Sequence, residues 1–413
     1  AQASGRGELA ARVDWRTRRN GAGVVEAAMQ SPSSSSRGAL RIFLCGDVMT
    51  GRGIDQVLPH PGDPQLREDH LRSARDYVRL AEAASGPIPR PTDFGEIWGA
   101  ARDLWRSMAP DVRIMNLETA VTTSRAFAPK GVNYRMNPAN APCLRAAAPD
   151  VLTLANNHVL DFGIDGLNDT LRALWSVGIR SAGAGRDLKA ARAPAAIAGE
   201  SGRLLVYAMA AGDSGVPASW SAAKGKPGVA CTGLSEAAAH AVCDQIKSER
   251  APGDLAVVSI HWGSNWGYAV PPAHRRFAHA LIDSGQVALV HGHSSHHPRP
   301  IEVHRNRLIL YGCGDFLNDY EGIHGHEAFR SDLVAMYFAD LAPKSGELRR
   351  LLLAPLRIHR FRLNEPSPTQ AAWMATTLSR ESRALGVEVA AVAPSLLEAG
   401  WRKDIAQSSF AFK

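Results

Sequence analysis

A cluster of histidines near residue 290 is the strongest chemical feature of this sequence. The apolar residues 287–290 are followed by four histidines within seven residues, at positions 291, 293, 296 and 297. Because an apolar run bounded by turn residues is typical of a buried strand, we expect the histidines at a strand end. Imidazole is a common metal ligand near neutral pH. The pattern indicates a metal site, and solvated histidines on a surface loop are the alternative interpretation.

Other apolar runs end in the same way, with a carboxylate, an amide or an imidazole. The residues are Asp47, Glu118, Asn157, His158 and His261, in addition to His293 and His296. Carboxylate and amide oxygens and imidazole nitrogens suit Zn, Mn or Fe(II), and not a metal that prefers thiolates. Each residue taken singly is more often structural. Together, the matched strand ends predict one convergent site for one or two divalent metal ions.

A site of this kind could activate water. Two metal ions about 3.5–4 Å apart, bridged by a carboxylate, can turn water into a nucleophile and stabilise an anionic transition state. His158 lies next to the candidate ligand Asn157. We therefore predict that His158 is a general acid.

Four further residues are candidates for contact with a substrate. Arg52 and Arg135 each carry a guanidinium that could clamp a carboxylate or phosphate with two hydrogen bonds. Asn156 precedes the Asn157–His158 pair, and Asp315 begins a stretch rich in acidic and amide residues. We predict a catalytic role for Arg52 and substrate binding by the other three. A surface ion pair, a turn or, for Asn156, a helix cap is the alternative.

The elements that must position these residues alternate between strands and helices. Apolar runs predict strands at 39–47, 112–115, 151–154, 204–209, 255–260 and 286–290. Helical patterns occupy 97–108, 161–177, 234–250 and 272–284. A strand-rich end follows, with a predicted hairpin at 301–310 and strands at 332–338 and 351–357. This order indicates a layered α/β fold, in which ligands bind at the carboxyl ends of strands.

Three segments are predicted along the chain. Residues 1–38 are polar and serine-rich, which is typical of a disordered segment or an added extension. Residues 39–363 are predicted to form the main domain. Residues 364–413 begin at a pair of prolines and are predicted to be a C-terminal helical segment.

Composition narrows the function classes. The 413 residues are 45% hydrophobic and 21% charged, as in a globular protein, and the formal net charge is +7. This basic balance suits an anionic substrate, either a small molecule or a polymer, or reflects general arginine usage. The sequence has no basic run interleaved with aromatics, which disfavours nucleic acid as a partner. It also has no GxxxxGK[ST] motif to support ATP-driven ligation.

The sequence also bears on the compartment. No apolar run approaches the roughly 18 residues of a transmembrane helix, and the first residues lack the apolar region of a signal peptide. We therefore expect a cytoplasmic chain without an integral membrane segment, and association with the cell envelope stays open. The five widely spaced cysteines do not suggest a disulfide framework. The oligomeric state is not predicted.

Six short motifs occur in an order that resembles a known family. They lie at 46–52 (GDVMTGR), 116–118 (NLE), 155–163 (ANNHVLDFG), 261–263 (HWG), 292–296 (GHSSH) and 311–316 (YGCGDF). Together they resemble the bacterial capsule-synthesis CapA family, which is linked to poly-γ-glutamate biosynthesis. That family looks like a branch of the calcineurin-like metallophosphoesterases. The resemblance covers residues 39–363.

The resemblance implies a fold and a set of roles. The fold would be a four-layer α/β/β/α sandwich. Asp47 would be the first metal-binding aspartate, and Glu118 would take the bridging position. Asn157 would bind the second metal ion, and His158 would be the catalytic acid. His261 and His293 would complete the second metal site. His296 would bind the first metal ion.

The sequence departs from the phosphoesterase pattern at three places. Met49 stands where a phosphoesterase carries histidine, Glu118 replaces a shorter aspartate, and the GHSSH motif is one residue longer than usual. Because a thioether is a poor ligand for Zn or Mn, we expect Met49 to pack beside the site and not to bind a metal ion. The metal site of Asp47 and His296 then lacks one nitrogen donor, and we expect it to bind its ion more weakly than the other site does.

The resemblance implies a metal-dependent hydrolase that uses metal-activated water on a phosphoester or on a γ-glutamyl or other amide linkage. The alternatives are a non-catalytic accessory or binding protein for polymer assembly, and a tailoring enzyme in small-molecule biosynthesis.

Overall fold

The computed structural model describes residues 38–199 and 201–402. The predicted segment 1–38 therefore lies outside the described residues, except for Gly38. Within them the first half of the chain forms, in order, β1 (Leu40–Val48), α1 (Arg52–Val57), α2 (Ala74–Ser85), α3 (Ala101–Met108), β2 (Val112–Leu117), β3 (Ala120–Val121), β4 (Arg135–Met136), α4 (Pro142–Ala146), β5 (Val151–Thr153), α5 (Gly163–Ser176), β6 (Arg180–Ala182), β7 (Ala184–Gly185), α6 (Leu188–Arg192), β8 (Ala195–Ala198) and β9 (Arg203–Ala211).

The second half is richer in strands. It forms β10 (Gly228–Val229), β11 (Cys231–Thr232), α7 (Glu236–Glu249), β12 (Leu255–His261), α8 (Pro272–Asp283), β13 (Leu289–His293), β14 (Ile301–His304), β15 (Arg307–Leu310), β16 (Asp315–Leu317), β17 (Leu333–Leu341), β18 (Leu348–His359), β19 (Arg362–Asn364), α9 (Pro368–Ser382), β20 (Val387–Ala393) and β21 (Leu396–Trp401).

Most of these strands form two sheets. The first sheet has ten strands, with the path β20-β21-β18-β17-β1-β2-β5-β6, while β16 pairs with β1 and β19 with β18. The second has seven, with the path β11-β9-β12-β13-β15-β14, and β8 pairs with β9. β1, β2 and β5 run parallel in the first sheet, as β9, β12 and β13 do in the second. The predicted hairpin at 301–310 is confirmed as the antiparallel pair β14–β15.

The two sheets pack face to face. Along β9, Leu204 and Val206 lie in the same apolar core as Ile42 of β1, whereas Leu205 and Tyr207 lie in a second core. Because successive side chains of a strand point to opposite faces, one face of the second sheet meets the first sheet. Its other face packs against the helices α7 and α8, which supply side chains including Ile246, Phe277 and Leu281.

A helical layer also covers the outside of the first sheet. The Trp105 ring of α3 meets the Phe43 ring of β1 edge to face, with 5.5 Å between ring centroids. Phe316 of β16 stacks on Trp98 nearby. The layers are therefore helix, sheet, sheet, helix, so the predicted α/β/β/α sandwich is confirmed. No helix of the described ranges is long and apolar enough to cross a membrane.

The C-terminal segment was predicted to be helical, and it contains strands as well as a helix. It begins with α9, where Ser367 and Gln370 form a capping box. Beyond the helix, β20 and β21 form an antiparallel pair that joins the first sheet beside β18. Val387 and Val389 are buried and Glu388 is exposed, which is the two-residue period of a strand. These residues form β20, which pairs with β21, and β21 in turn pairs with β18.

Candidate metal centre

Parallel strands deliver the candidate ligands to one place between the two sheets. In the first sheet, Asp47 at the end of β1 lies in register with Asn116 of β2 and with Asp315 of β16. In the second sheet, His261 and His293 are register partners at the ends of β12 and β13. Because the carboxyl ends of parallel strands share one edge, residues far apart in the sequence meet there.

Three of the predicted ligands form a compact group. Asp47, His261 and His293 each offer one ligand atom, and these atoms all lie within 4.8 Å of one another. Nδ1 of His261 is 2.8 Å from Nδ1 of His293, which is 3.8 Å from Oδ1 of Asp47. All three side chains are buried. The sequence therefore identified the residues that the structure brings together most closely.

Glu118 and Asn157 border this group. Nε2 of His261 is 3.1 Å from Oδ1 of Asn157 and 3.8 Å from Oε1 of Glu118. The second oxygen of Glu118, Oε2, is buried without a hydrogen-bond partner. A buried carboxylate oxygen without a partner is costly, so this oxygen is available to a further ligand.

His296 lies beside the group and has a partner of its own. Its Nδ1 is 2.9 Å from Oδ1 of Asp315, and Asn318 donates a hydrogen bond to the other oxygen of Asp315. Asp315 was predicted to bind substrate, but here it holds His296. Met49 is buried, as expected, and the Tyr320 hydroxyl donates to its sulfur over 3.6 Å.

The charges around the group favour a cation. Burial, and then the nearby charge of Asp315, raise the pKa of Asp47 to about 7. Burial and the charge of Asp47 raise the pKa of Glu118 well above its ordinary value. Crowded buried carboxylates ionise easily only beside a positive charge. With their imidazole and amide neighbours they make a donor set that suits Zn, Mn or Fe(II), so the residues present fit a divalent metal ion.

His158 is held by two residues that the sequence analysis missed. Its Nδ1 donates to Oδ2 of Asp161 over 2.6 Å, and Lys130 pairs with Oδ1 of Asp161 over 2.9 Å. Nε2 of His158 lies 3.6 Å from Oε1 of Glu118. Asp161 stands three residues after His158 in the same motif, so local spacing could have identified it. Lys130 comes from a loop, and no sequence signal connects it with His158.

The two arginines have structural surroundings. Arg52 is buried and donates to both oxygens of Asp319 and to Glu68 and the Tyr77 hydroxyl. Arg135 donates to the backbone carbonyls of Ser124 and Asp63. Both guanidinium groups therefore have protein partners, and their predicted roles with a substrate stay predictions.

Asn156 acts on the loop that carries Asn157 and His158. Its oxygen accepts hydrogen bonds from the backbone N–H groups of His158 and Val159, and its Nδ2 donates to the Leu117 carbonyl. Its predicted role in substrate binding stays a prediction. Asn156 caps the turn at His158 and Val159 and does not cap a helix, since α5 begins at Gly163 with Phe162 as its N-cap. It ties the loop after β5 to the end of β2.

Comparisons with known proteins agree on a family. The family model described as bacterial capsule synthesis protein PGA_cap matches residues 41–320. A Mycobacterium tuberculosis protein named as a polyglutamine synthesis accessory protein is 51% identical over 363 residues, which cover 86% of this chain and 95% of that protein. The PGA biosynthesis protein CapA of Bacillus subtilis is 27% identical over 316 residues, covering 76% of this chain and 70% of that one.

A solved structure gives a weaker match. It is a Staphylococcus aureus chain described as a 5′-nucleotidase in complex with α-ketoglutarate, with a TM-score of 0.43 and 11% identity. The match covers 77% of this chain and 54% of that one, and its similarity is too low to assign function. The family match spans more than half of the chain, and the mycobacterial relative is similar over nearly its whole length. The chain belongs to the bacterial capsule synthesis protein PGA_cap family.

Proposed function

We propose that this chain is a metal-dependent hydrolase of capsule or polyglutamate metabolism. Its substrate would be an anionic small molecule or polymer, cleaved at a phosphoester or at a γ-glutamyl or other amide linkage. The observation that carries the proposal is the buried group of Asp47, His261 and His293, whose ligand atoms lie within 4.8 Å of one another. Buried ionisable side chains clustered at strand ends are typical of an active site.

The metal would be held by carboxylate oxygens, an amide oxygen and imidazole nitrogens in and around the group of Asp47, His261 and His293. Asp47, His261 and His293 would bind it, and Asn157 and Glu118 would complete the coordination from their positions next to His261. His296, with Asp47, would hold the other ion if two are bound. A bound divalent cation would lower the pKa of a coordinated water and neutralise negative charge on the substrate.

His158 would move the proton that hydrolysis requires. Burial lowers the pKa of His158 to about 4, against the opposing charge of Asp161, so the imidazole is neutral at pH 7. Because Nδ1 donates to Asp161, the neutral form presents a bare Nε2 that can accept a proton. An anionic substrate would favour the protonated imidazole, which could then donate to the leaving group as the predicted general acid.

Lys130 would favour an anionic substrate. Its side chain is 23% exposed and lies beside His158, with the Trp220 ring 5.4 Å away. Arg52 and Arg135 could contribute only by releasing their present partners.

The proposal is tested by reconstituting the metal-free protein with Mn, Zn or Fe(II) and measuring hydrolysis of a phosphoester and γ-glutamyl panel. We expect at least one substrate to be cleaved, with activity that a chelator abolishes. A protein that binds metal and cleaves nothing in the panel would contradict a hydrolase of these two linkage classes.

A second candidate is a non-catalytic accessory role in polymer assembly. It is favoured by the mycobacterial relative, which is named as a polyglutamine synthesis accessory protein. The two candidates differ in one measurement. An accessory protein would bind polyglutamate without turnover, and its binding would be unchanged in His158→Asn.

A further inference from the structure

Two buried residues behind the proposed metal centre have no role so far. Ser259 of β12 and His291 of β13 are fully buried, like His293. Together with the Cys45 carbonyl of β1 they form one continuous line of polar atoms, which begins at the first sheet and ends at a candidate ligand. Because each atom on this line can only donate or accept in certain ways, the contacts fix which nitrogen of each imidazole carries a hydrogen.

The line is fixed at its far end by a backbone carbonyl. Nε2 of His291 is 2.8 Å from the Cys45 oxygen. Since a carbonyl only accepts, this nitrogen must carry a hydrogen and donate it. The two ring nitrogens of the fully buried His291 contact this carbonyl and the Ser259 hydroxyl, which are both neutral. A charged imidazole would be costly there, so the ring is neutral and its Nδ1 has no hydrogen.

The next hydrogen on the line comes from the serine hydroxyl. Ser259 Oγ is 3.1 Å from the bare Nδ1 of His291, which can only accept, so Ser259 donates to it. The competing acceptor, Oγ1 of Thr153, is farther away at 3.5 Å. A donation to Thr153 would leave the buried Nδ1 of His291 without a hydrogen bond, which is costly.

His293 must then donate to the serine. Its Nε2 is 2.9 Å from Ser259 Oγ, and the single hydroxyl hydrogen of Ser259 is already used. We infer that Ser259 and His291 fix the His293 imidazole in the form that carries its hydrogen on Nε2, which leaves Nδ1 free to bind a metal ion. They are positioning residues, and this inference rests on the proposed metal centre for its purpose.

The inference also indicates where a cation is needed. Nδ1 of His261 faces the bare Nδ1 of His293, and Nε2 of His261 faces the oxygens of Asn157 and Glu118. A neutral His261 has only one hydrogen for these two contacts. In one of the two contacts, therefore, the electron pairs of the two facing atoms point at each other with no hydrogen between them. A metal ion bound there would accept both electron pairs.

The direct test is the position of the hydrogen in the metal-free protein. We would label the full chain with ¹⁵N-histidine, remove metal with a chelator, and record ring nitrogen spectra near pH 7, assigning signals by their loss in His291→Gln and His293→Gln. We expect a neutral His293 with its hydrogen on Nε2. A hydrogen on Nδ1 of His293 would overturn the inference.

The affinity of variants for a metal ion tests the same series of hydrogen bonds. Ser259→Ala should weaken Mn or Zn binding by about 10–100-fold, as is typical when a group that orients a ligand is lost. His291→Leu should do the same. His291→Gln keeps an acceptor for Ser259 and a donor for Cys45, so it should restore most of the affinity. Ser382→Ala is the matched control, because it removes a buried hydroxyl that accepts from Ile301 N–H and contacts none of the candidate ligands.

The outcomes separate this inference from the proposed function. Wild-type affinity in folded Ser259→Ala, or equal losses in His291→Gln and His291→Leu, would overturn the positioning role even if the enzyme is active. If His293 carries its hydrogen on Nε2 but no metal binds, the inference on the imidazole stands and the proposed hydrolase fails.

Discussion

His158 is held from one side by a carboxylate and a lysine, and its other nitrogen is directed to the candidate metal ligands. Nδ1 donates to Asp161, Lys130 pairs with that carboxylate, and Nε2 is 3.6 Å from Glu118. This arrangement leaves one ring nitrogen for proton transfer. It also separates the role of His158 from metal binding, which a single substitution can examine.

His158→Asn should lower turnover by about 10²–10⁴-fold, the usual contribution of a general acid or base. The metal content should stay nearly unchanged, because Asn157, and not His158, contacts His261. Turnover on the best panel substrate and metal analysis of the same sample check both parts. If the variant loses its metal, His158 is a ligand and its assigned role is wrong.

At the residue scale, the sequence predicted the group of Asp47, His261 and His293 but not all of their neighbours. Strand ends can be recognised locally, so these candidate ligands could be predicted. The partners of Arg52 could not, because Asp319 lies 267 residues away and only the folded chain brings the two together. The contacts of Lys130 with His158 and of Ser259 with His291 and His293 were not predicted either, because they too form only when separate segments of the chain meet.

At the scale of elements, the position of Asp47 depends on a close backbone contact. A Cβ atom on Gly46 would lie 1.5 Å from the Gly314 carbonyl oxygen, and Asp47 N–H donates to that same oxygen over 2.9 Å. Glycine is therefore required where β1 meets the chain just before β16. Any side chain there would push the end of β1 that carries the candidate ligand Asp47 away from its neighbour.

Gly46→Ala should lower the free energy of unfolding by about 3 kcal/mol or more, since backbone must shift to admit the methyl group. Gly233→Ala is the matched control, because its Cβ would meet nothing closer than Ala238 Cβ at 3.7 Å. Chemical denaturation of both variants measures the difference. Equal stability of Gly46→Ala and the wild type would show that the contact is not needed.

The strand pair β20–β21 was not predicted from the sequence. The alternation of Val387, Glu388 and Val389 is a strand pattern that could have been read from the sequence. The prediction treated everything after the boundary at Pro366 and Pro368 as one helical segment. Its pairing with β18 could not be predicted, since nothing local specifies which sheet a hairpin joins. The order of alternating strands and helices, in contrast, was enough to indicate the layered fold.

At the scale of the whole molecule, stability at low pH should depend on Glu302 of β14. Burial alone would raise the pKa of this carboxyl, but His279 at 3.1 Å and hydrogen bonds from Tyr311 and Arg275 bring the pKa down to about 2. A carboxyl with a lowered pKa stabilises the fold above its unfolded pKa of 4.5. That contribution is lost as the pH falls toward 2.

Glu302→Gln should therefore lower the free energy of unfolding by about 1–3 kcal/mol at pH 7, allowing for the partial exposure of Arg275. The difference from the wild type should stay constant down to about pH 4.5 and shrink below it. Denaturant unfolding between pH 7 and 3 checks the trend. A difference that grows as the pH falls would contradict the assigned pKa.

The central claim is that two stacked sheets bring Asp47, His261 and His293 together to bind a divalent metal ion. The most direct measurement is elemental analysis of the purified full chain and of His293→Asn, each after dialysis against Mn or Zn and removal of free metal. The account predicts one or two bound ions in the wild type and a loss of at least one in the variant. A wild-type protein that retains no metal, or a variant that retains as much as the wild type, would contradict it.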